Sequence, residues 1–288
     1  MSLDSPLIRA EALAALPAEA VLIVDCRFDL ADPGKGERAY VEGHIPGATY
    51  AHLDRDLADL SRQGEGLGRH PLPDAQAFAA SLSRWGWRPE LLVVAYDDAG
   101  GALAAARLWW LLRLAGIERA AVLDGGYAAW LGAGLAVDQA PPAREAGPVQ
   151  PMHFAAAQTV GHEDLLRNLA DPRLLLLDAR NAPRYRGEVE PIDPVAGHVP
   201  GALNRPFSDN FAADGRFKSP AELREEFAAL LGSRDPARVV HMCGSGVTAC
   251  HNLLAMEYAG LAGARVYAPS WSGWIGDASR PVATGAKA

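Results

Sequence analysis

Cysteine is scarce in this sequence, and long apolar runs are absent from it. The 288 residues include three cysteines, Cys26, Cys243 and Cys250, too few for a disulfide framework in a chain of this length. We therefore expect a reducing compartment, in which any special cysteine acts alone. No stretch approaches the about 18 apolar residues that span a bilayer, and residues 1–19 lack the basic start and apolar core of a secretion signal. These absences predict a cytoplasmic protein without a membrane partner.

Blocks of basic residues are also missing. The chain has 35 Asp and Glu against 27 Lys and Arg, which gives a formal net charge of −8. Since nucleic acids require a basic footprint, we predict no nucleic-acid partner. A hydrophobic content of 49% and a charged content of 22% are typical of a globular protein. At about 100–200 residues per domain, the length predicts about two domains.

What the sequence does contain is a repeat of its own first half. The motif GHIPGA at 43–48 returns as GHVPGA at 197–202, and VDCR at 24–27 is matched by LDAR at 177–180. Later in each half, an apolar run predicts a buried strand, and glycines and a helical pattern follow it. The expected strands are 92–97 and 238–243, the expected helices are 103–114 and 247–258, and a last short strand in each half ends in Tyr127…Trp130 or Trp271…Trp274.

Strands that alternate with helices are typical of βα units around a parallel sheet. We therefore predict an α/β protein with two tandem domains, each a mainly parallel sheet flanked by helices. The domains are residues 1–135 and 153–288, joined by the proline-rich linker 136–152. A capping-box pattern that begins at Ser219 predicts one further helix in the second half.

The halves differ in chemistry at Cys243, because the first half has Asp97 at the aligned place. The sequence CGSGVT at 243–248 joins a predicted strand to a predicted helix, where unpaired N–H groups and the helix dipole favour a thiolate. Gly244 and Gly246 let the backbone curl closely around the sulfur. The loop therefore predicts a nucleophile in the second half only.

Three chemistries compete for this loop. A cysteine-dependent phosphatase needs an arginine six residues after the cysteine, where Ala249 stands instead. A metal site built from Cys243, Cys250 and the histidines beside them lacks the short spacing of structural zinc sites, so we expect no metal. The third chemistry is sulfur transfer, in which the thiolate holds a sulfane sulfur as a persulfide within a cradle of N–H groups.

Together these motifs resemble the two-domain rhodanese-type sulfurtransferases, over about residues 5 to 283. The resemblance implies two tandem rhodanese-like domains, an inactive first one and a catalytic second one, and no metal or organic cofactor. It also implies a small-molecule sulfur donor. A Gly-Ser-Gly loop after the cysteine is similar to that of the 3-mercaptopyruvate sulfurtransferases, whereas thiosulfate enzymes usually carry basic residues there. The acceptor stays open between a small thiol, a thioredoxin-like protein and cyanide.

The resemblance also assigns residues to donor binding. Arg184 matches the position that grips the donor's anionic group, a task suited to the planar guanidinium fork. Arg186 is either a second cation of the site or a solvated surface residue. Phe28 matches an aromatic wall of the site, with a buried core residue as its alternative. The rest of the binding site consists of the loop residues Gly244, Gly246, Val247 and Thr248.

Proton transfer is the other requirement, because a departing pyruvate enolate must be protonated. Ser245 lies in the loop where it can act. By resemblance, His70 and Asp56 of the first half complete the relay; the alternatives are a solvated loop histidine and a helix-end carboxylate. His44 in the first half and His198 in the second occupy the same place in the repeat. Because the first half has no counterpart of Cys243, we predict a structural hydrogen bond in the turn for each histidine rather than a catalytic role.

The leading hypothesis is a sulfurtransferase that moves a sulfane sulfur from 3-mercaptopyruvate to a thiol or cyanide acceptor through a Cys243 persulfide. The segment after Glu190 lacks a second arginine that similar mercaptopyruvate enzymes often have, so thiosulfate is an alternative donor with the same mechanism. A further alternative is a non-catalytic sulfur carrier or binding module. The glycine-rich run at 64–68 lacks the context of a dinucleotide-binding fingerprint and predicts a mobile loop.

Overall fold

The chain forms two parallel β-sheets, one in each of two compact units. The computed structural model describes residues 5–286. The first unit holds the described residues up to Asp59, with Pro73–Ala155 and Ala213–Phe217. The second unit holds Leu60–Leu72, Ala156–Ala212 and the described residues from Lys218 onward. The segment Leu60–Leu72 therefore packs with the second unit, although it comes from the first half of the sequence.

The first unit contains a five-stranded sheet in the order β1-β5-β4-β2-β3, and all neighbouring strands run parallel. Its strands are β1 (Leu7–Ile8), β2 (Val21–Asp25), β3 (Thr49–Tyr50), β4 (Leu92–Tyr96) and β5 (Ala120–Leu123). Its helices are α1 (Ala10–Ala14), α2 (Lys35–Glu42), α3 (Leu53–Asp56), α4 (Ala75–Arg84), α5 (Ala104–Leu114) and α6 (Gly126–Gly132). Strands β2 and β4 are buried along their whole length, as expected of a parallel sheet that is covered on both faces.

The second unit contains a four-stranded parallel sheet in the order β7-β6-β8-β9. Its strands are β6 (Leu175–Asp178), β7 (Leu203–Asn204), β8 (Val239–Met242) and β9 (Arg265–Val266). Its helices are α7 (His162–Asn168), α8 (Ala182–Arg186), α9 (Pro220–Leu231), α10 (Thr248–Tyr258) and α11 (Ser270–Trp274). Because the strands are parallel, the carboxyl ends of β6 and β8 lie at one edge of the sheet, where sites of open α/β sheets form.

These sheets confirm the predicted α/β class, and α5 and α10 each begin one residue later than predicted. The capping box at Ser219 is present and starts α9. The prediction that short strands end in the aromatic pairs is wrong, since those residues lie on α6 and α11. The reason in the first unit is a sharp turn after β5, where Gly125 and Gly126 both adopt positive φ and lead into the helix.

Between the two sheets along the chain, the proline-rich stretch forms no regular helix or strand from residue 139 to residue 155. It packs on the first unit, where the Gly147 carbonyl accepts the Ser83 hydroxyl at 2.6 Å and the Arg144 guanidinium donates to the Val21 carbonyl at 2.8 Å. The domain bounds at 135 and 153 stay predictions. Within residues 5–286, no helix is long and apolar enough to cross a membrane.

Candidate active site

Cys243 follows the last residue of β8, and only 2% of it is exposed. The Gly246 N–H donates a hydrogen bond to Cys243 Sγ at 3.2 Å. Gly246 has φ of +77°, and a Cβ there would lie 2.3 Å from the Ala268 carbonyl oxygen, so this position requires glycine. The first N–H groups of α10 have no acceptor within the helix and add positive potential near the sulfur. The loop therefore holds the sulfur in a turn that directs a backbone N–H group at it.

The first turn of α11 fixes this loop. Ser270 Oγ accepts the Cys243 N–H at 3.1 Å and donates to the Tyr267 carbonyl at 3.0 Å. The N–H groups of Trp271 and Ser272 donate to the carbonyls of Cys243 and Gly244, each at 2.9 Å. Ser270 adopts φ of +52°, a conformation that is uncommon outside glycine. Sequence reasoning missed Ser270, because its role depends on a contact across 27 positions of the chain.

His70 lies beside Ser245 in the second unit. The distance between His70 Nδ1 and Ser245 Oγ is 2.8 Å, and both residues are buried. The backbone before His70 is held against α11, since the Arg69 N–H donates to Ser272 Oγ at 2.9 Å. Gly68 has φ of +86°, and a Cβ there would lie 2.4 Å from the Pro269 carbonyl oxygen. A close packing contact thus brings His70 to the cysteine loop.

Arg184 lies on α8, which begins after the N-cap Asn181. Its Nε is 3.0 and 3.1 Å from the two carboxylate oxygens of Glu190, and its Nη2 is 2.7 Å from Glu190 Oε1 and 3.1 Å from Asp193 Oδ2. Burial raises the pKa of Glu190, but the hydrogen bonds from Arg184 and from the Asp193 and Ile192 N–H groups outweigh it and hold that pKa below its usual value. The Glu190 carboxylate is therefore a fixed partner that orients the Arg184 guanidinium.

Arg180 and Arg69 add two more guanidinium groups to this region. Arg180 Nη2 is 2.6 Å from Asp178 Oδ2, and Arg69 Nη1 is 2.7 Å from Asp193 Oδ1. Burial lowers the pKa of Arg180, but the charges of Asp178, Glu190 and Cys243 outweigh burial and raise that pKa above its usual value. With Arg184 and its partners, three guanidinium groups face three carboxylates, so the side-chain charges around the loop balance.

Two of the predicted site residues belong to the first unit. The Asp56 carboxylate accepts the His52 N–H at 2.8 Å and the Ser81 hydroxyl at 3.3 Å, and it pairs with Arg84. Phe28 is 7% exposed and packs edge-on against His52, with 5.3 Å between the ring centroids. Their catalytic and binding roles stay predictions.

The remaining predicted residues lie in the second unit. Gly244, Val247 and Thr248 follow Cys243 in the loop and at the start of α10. Arg186 pairs with Glu188, with Nε 2.7 Å from Glu188 Oε1, and 32% of its side chain is exposed. This position suits the solvated alternative, since the partner of Arg186 is an exposed carboxylate rather than a group of the cysteine loop.

The histidines near the cysteines have protein partners of their own. His241 Nε2 is 3.2 Å from Met256 Sδ, and His251 Nδ1 is 3.0 Å from the Asn210 amide nitrogen. Cys250 Sγ donates to the Gly246 carbonyl at 3.3 Å. Across the described residues, no group of three or more His, Cys, Asp or Glu side chains could hold a metal ion.

Comparison with known proteins assigns the chain to a family. The family described as "Rhodanese-like domain" matches residues 9–133 and 161–277. The chain belongs to the rhodanese family. A Pseudomonas aeruginosa protein named "Probable 3-mercaptopyruvate sulfurtransferase" is 50% identical to this chain over 284 residues, which cover 98% of the chain and 99% of the relative. A Mycobacterium tuberculosis protein, provisionally named a thiosulfate sulfurtransferase, is 39% identical over 293 residues that cover 97% of each chain.

The solved structures agree with this assignment. The 3-mercaptopyruvate sulfurtransferase from Leishmania major superimposes with a TM-score of 0.84 at 30% identity, covering 96% of this chain and 75% of that chain. Two rhodanese-like domains and relatives named as sulfurtransferases over nearly the full length establish that the chain is a sulfurtransferase. The alternative of a non-catalytic module is therefore not retained.

Proposed function

We propose that this protein transfers the sulfane sulfur of 3-mercaptopyruvate to a thiol or cyanide acceptor through a persulfide on Cys243. The observation that carries the proposal is the 2.8 Å contact between Ser245 Oγ and His70 Nδ1, made by a cysteine loop, CGSGVT at 243–248, that contains no Lys, Arg, Asp or Glu. That contact supplies a proton relay where the donor's carbon fragment would depart.

In the first half-reaction, the Cys243 thiolate attacks the sulfur of mercaptopyruvate. The new S–S bond forms as the C–S bond breaks, and the electron pair of the C–S bond leaves with the carbon fragment as pyruvate enolate. The enolate gains a proton through Ser245 and His70 and becomes pyruvate, while the thiol proton of the donor leaves the new persulfide. The Gly246 N–H and the first N–H groups of α10 stabilise the persulfide anion.

In the second half-reaction, an acceptor anion attacks the outer sulfur of the persulfide. A thiolate acceptor becomes a persulfide and a cyanide acceptor becomes thiocyanate, and in both cases the S–S bond breaks with its electron pair returned to Cys243. The chemistry requires no change in oxidation state of any other group. The 2% exposure of Cys243 limits access of water to the reactive sulfur.

Charge supports mercaptopyruvate over thiosulfate. Thiosulfate carries two negative charges and gains from uncompensated cations beside the sulfur, whereas mercaptopyruvate carries one carboxylate. Around the Cys243 loop, three guanidinium groups are matched by three carboxylates. The balanced charge therefore suits the donor with the smaller negative charge.

Thiosulfate is the second candidate. It is favoured by the two guanidinium groups nearest the loop, since a Cβ on Gly244 would lie 3.5 Å from Arg69 Nη2 and 3.7 Å from Arg184 Nη1. The name of the Mycobacterium tuberculosis relative also supports it. With this donor, sulfite would leave as a stable anion and would need no proton from Ser245.

Replacement of Ser245 separates the donors. Ser245→Ala should lower kcat with mercaptopyruvate by about 10- to 100-fold, because a relay in general acid catalysis contributes at least that much. With thiosulfate, the same variant should stay within about threefold of the wild-type kcat. Steady-state kcat/KM for both donors, with cyanide as acceptor, gives the comparison.

Ser279→Ala is the matched control, since Ser279 is an exposed serine whose N–H and hydroxyl both donate to Asp277. It should leave kcat unchanged with both donors. A wild-type preference for thiosulfate in kcat/KM would overturn the proposed donor. An equal loss of kcat with both donors in Ser245→Ala would overturn the relay.

A further inference from the structure

Arg69 reaches the cysteine loop from the segment Leu60–Leu72, which packs within the second unit. The space where Gly244 lacks a side chain is flanked by two guanidinium groups. A Cβ on Gly244 would lie 3.5 Å from Arg69 Nη2 and 3.7 Å from both Arg184 Nη1 and Arg184 Nη2. Since Gly244 follows the nucleophile directly, both cations border the position next to the reacting sulfur.

Asp193 holds the two guanidinium groups together. Its Oδ1 accepts Arg69 Nη1 at 2.7 Å, and its Oδ2 accepts Arg184 Nη2 at 3.1 Å. The Asp193 side chain is 3% exposed, so its position is fixed by packing as well as by charge. One buried carboxylate thus sets the distance between two planar forks, which is the arrangement that binds a further carboxylate with several hydrogen bonds.

The Arg69 side chain has donors to spare. Its Nε is buried and has no hydrogen-bond partner among the described residues, and its Nη2 is 3.5 Å from the nearest Asp193 oxygen. Its backbone is fixed independently, because the Arg69 N–H donates to Ser272 Oγ and its carbonyl accepts from the Gln63 amide. The guanidinium is therefore not needed to attach the segment to α11.

We propose that Arg69 is a second residue that binds the donor's carboxylate, acting with Arg184 across Gly244 while Asp193 positions both guanidinium groups. This inference rests on the proposed function for the identity of the donor. The carboxylate would lie over Gly244 and accept hydrogen bonds from Arg69 and Arg184, which would place the donor's sulfur near Cys243. Arg69 is then a specificity residue for donors that carry an anionic group.

The test compares two donors that differ only in the carboxylate. Mercaptoacetone has the thiol and ketone of mercaptopyruvate with a methyl group in place of the carboxylate. Arg69→Met should lower kcat/KM for mercaptopyruvate by about 10- to 100-fold, mainly through KM, because hydrogen bonds to a charged group are lost. For mercaptoacetone, kcat/KM should stay within about twofold of wild type, since it makes no such bonds.

Two further variants keep the test independent of folding. Arg69→Lys retains the charge without the fork and should show a smaller rise in KM for mercaptopyruvate than Arg69→Met. Arg167→Met is the control, because Arg167 is an exposed arginine of the same unit that pairs with Asp164 on α7. It should change kcat/KM for neither donor.

A binding readout separates this inference from the proposed function. Pyruvate binding to Cys243→Ser, measured by calorimetry, should weaken at least tenfold when Arg69→Met is added. An equal loss of kcat/KM with both donors, or unchanged pyruvate affinity, would overturn the role of Arg69. If thiosulfate alone loads the enzyme and Arg69→Met raises its KM, the proposed donor is wrong but Arg69 still binds the anionic group.

Discussion

Each unit has a loop after a central strand of its sheet, and the side chain that begins the loop is a carboxylate in the first unit and a thiol in the second. In the first unit, Asp97 follows β4, and its carboxylate accepts four backbone N–H groups. The donors are Ala99 at 2.9 Å, Gly101 at 2.8 Å, Leu103 at 2.9 Å and Ala105 at 3.2 Å. In the second unit, Cys243 follows β8, and its sulfur accepts the Gly246 N–H at 3.2 Å.

Both turns direct backbone N–H groups at the side chain that follows the strand, but the two loops differ in length. Seven residues separate strand from helix in the first unit and five in the second. The longer loop curls around the Asp97 carboxylate, and its backbone N–H groups donate to that carboxylate. A carboxylate cannot carry a sulfane sulfur. At Cys243, the sulfur accepts the Gly246 N–H, and the side chain at the start of the turn is a thiol rather than a carboxylate. This difference supports the prediction that only the second half is catalytic.

The scaffold around the two loops is the same. Arg27 Nη2 is 2.6 Å from Asp25 Oδ2 and 2.7 Å from the Gly43 carbonyl, and Arg180 repeats these distances with its own aspartate and glycine. His44 and His198 each bond a backbone carbonyl through Nδ1 at 2.8 Å. The predicted hydrogen bond of each histidine is confirmed, and it occurs both in the unit that holds Cys243 and in the unit that has Asp97 at the aligned place.

The largest effect on stability is expected at the first loop. Asp97→Asn turns an amide group toward two of the four N–H donors and removes the charge, so it should lower the free energy of unfolding by about 2–4 kcal/mol. Urea denaturation at pH 7, followed by tryptophan fluorescence, measures the change. Asp98→Asn is the control, because Asp98 is the exposed neighbour and should change stability by less than about 0.5 kcal/mol.

A loss below about 1 kcal/mol in Asp97→Asn would break the comparison, since the carboxylate would not be what holds its loop. Burial raises the pKa of Asp97, and the four N–H bonds oppose that increase. The measurement at pH 7 therefore tests whether the N–H groups stabilise the ionised side chain against the effect of burial.

A change of pH is expected to have a smaller effect on stability, because the two halves differ at the residue two positions before Cys243 and Asp97. The second unit has His241 where the aligned residue of the first half is Ala95, and burial lowers the pKa of His241 to about 3. The unfolded chain binds a proton below about pH 6.5 while the folded chain does not, so stability is full above that pH and falls as pH drops. His241→Leu should remove about 2 kcal/mol of the stability change between pH 7 and pH 5.

Urea denaturation of wild type and His241→Leu at both pH values checks this. His251, whose pKa burial also lowers to about 3, remains in the variant and should preserve part of the pH dependence. Identical pH dependence in the two proteins would mean that His241 gains a proton in the folded state, contrary to its buried position.

Much of the site could be predicted because it is local in sequence. The order of residues from Cys243 to Thr248 was enough to predict a nucleophile in a turn between a strand and a helix. The repeat was enough to predict two similar domains and to align Asp97 with Cys243. The alternation of strands and helices likewise predicted both sheets. These features depend on backbone rules that act over a few residues.

Arg69 and Ser270 could not be predicted, because their roles come from tertiary packing. The glycine-rich run at 64–68 predicts a mobile loop, whereas in the structure Gly68 permits a close approach to Pro269 that places the segment against α11. The Arg69 N–H then meets Ser272 across 203 positions of the chain. No local pattern carries such a contact.

Intact-protein mass spectrometry tests the central claim most directly, that Cys243 alone carries the sulfur. After treatment with 3-mercaptopyruvate and removal of the donor, wild type and Cys26→Ala should each gain one adduct of about 32 Da. Cys243→Ser should gain none. Persistence of the adduct in Cys243→Ser, or its absence from wild type, would contradict the account.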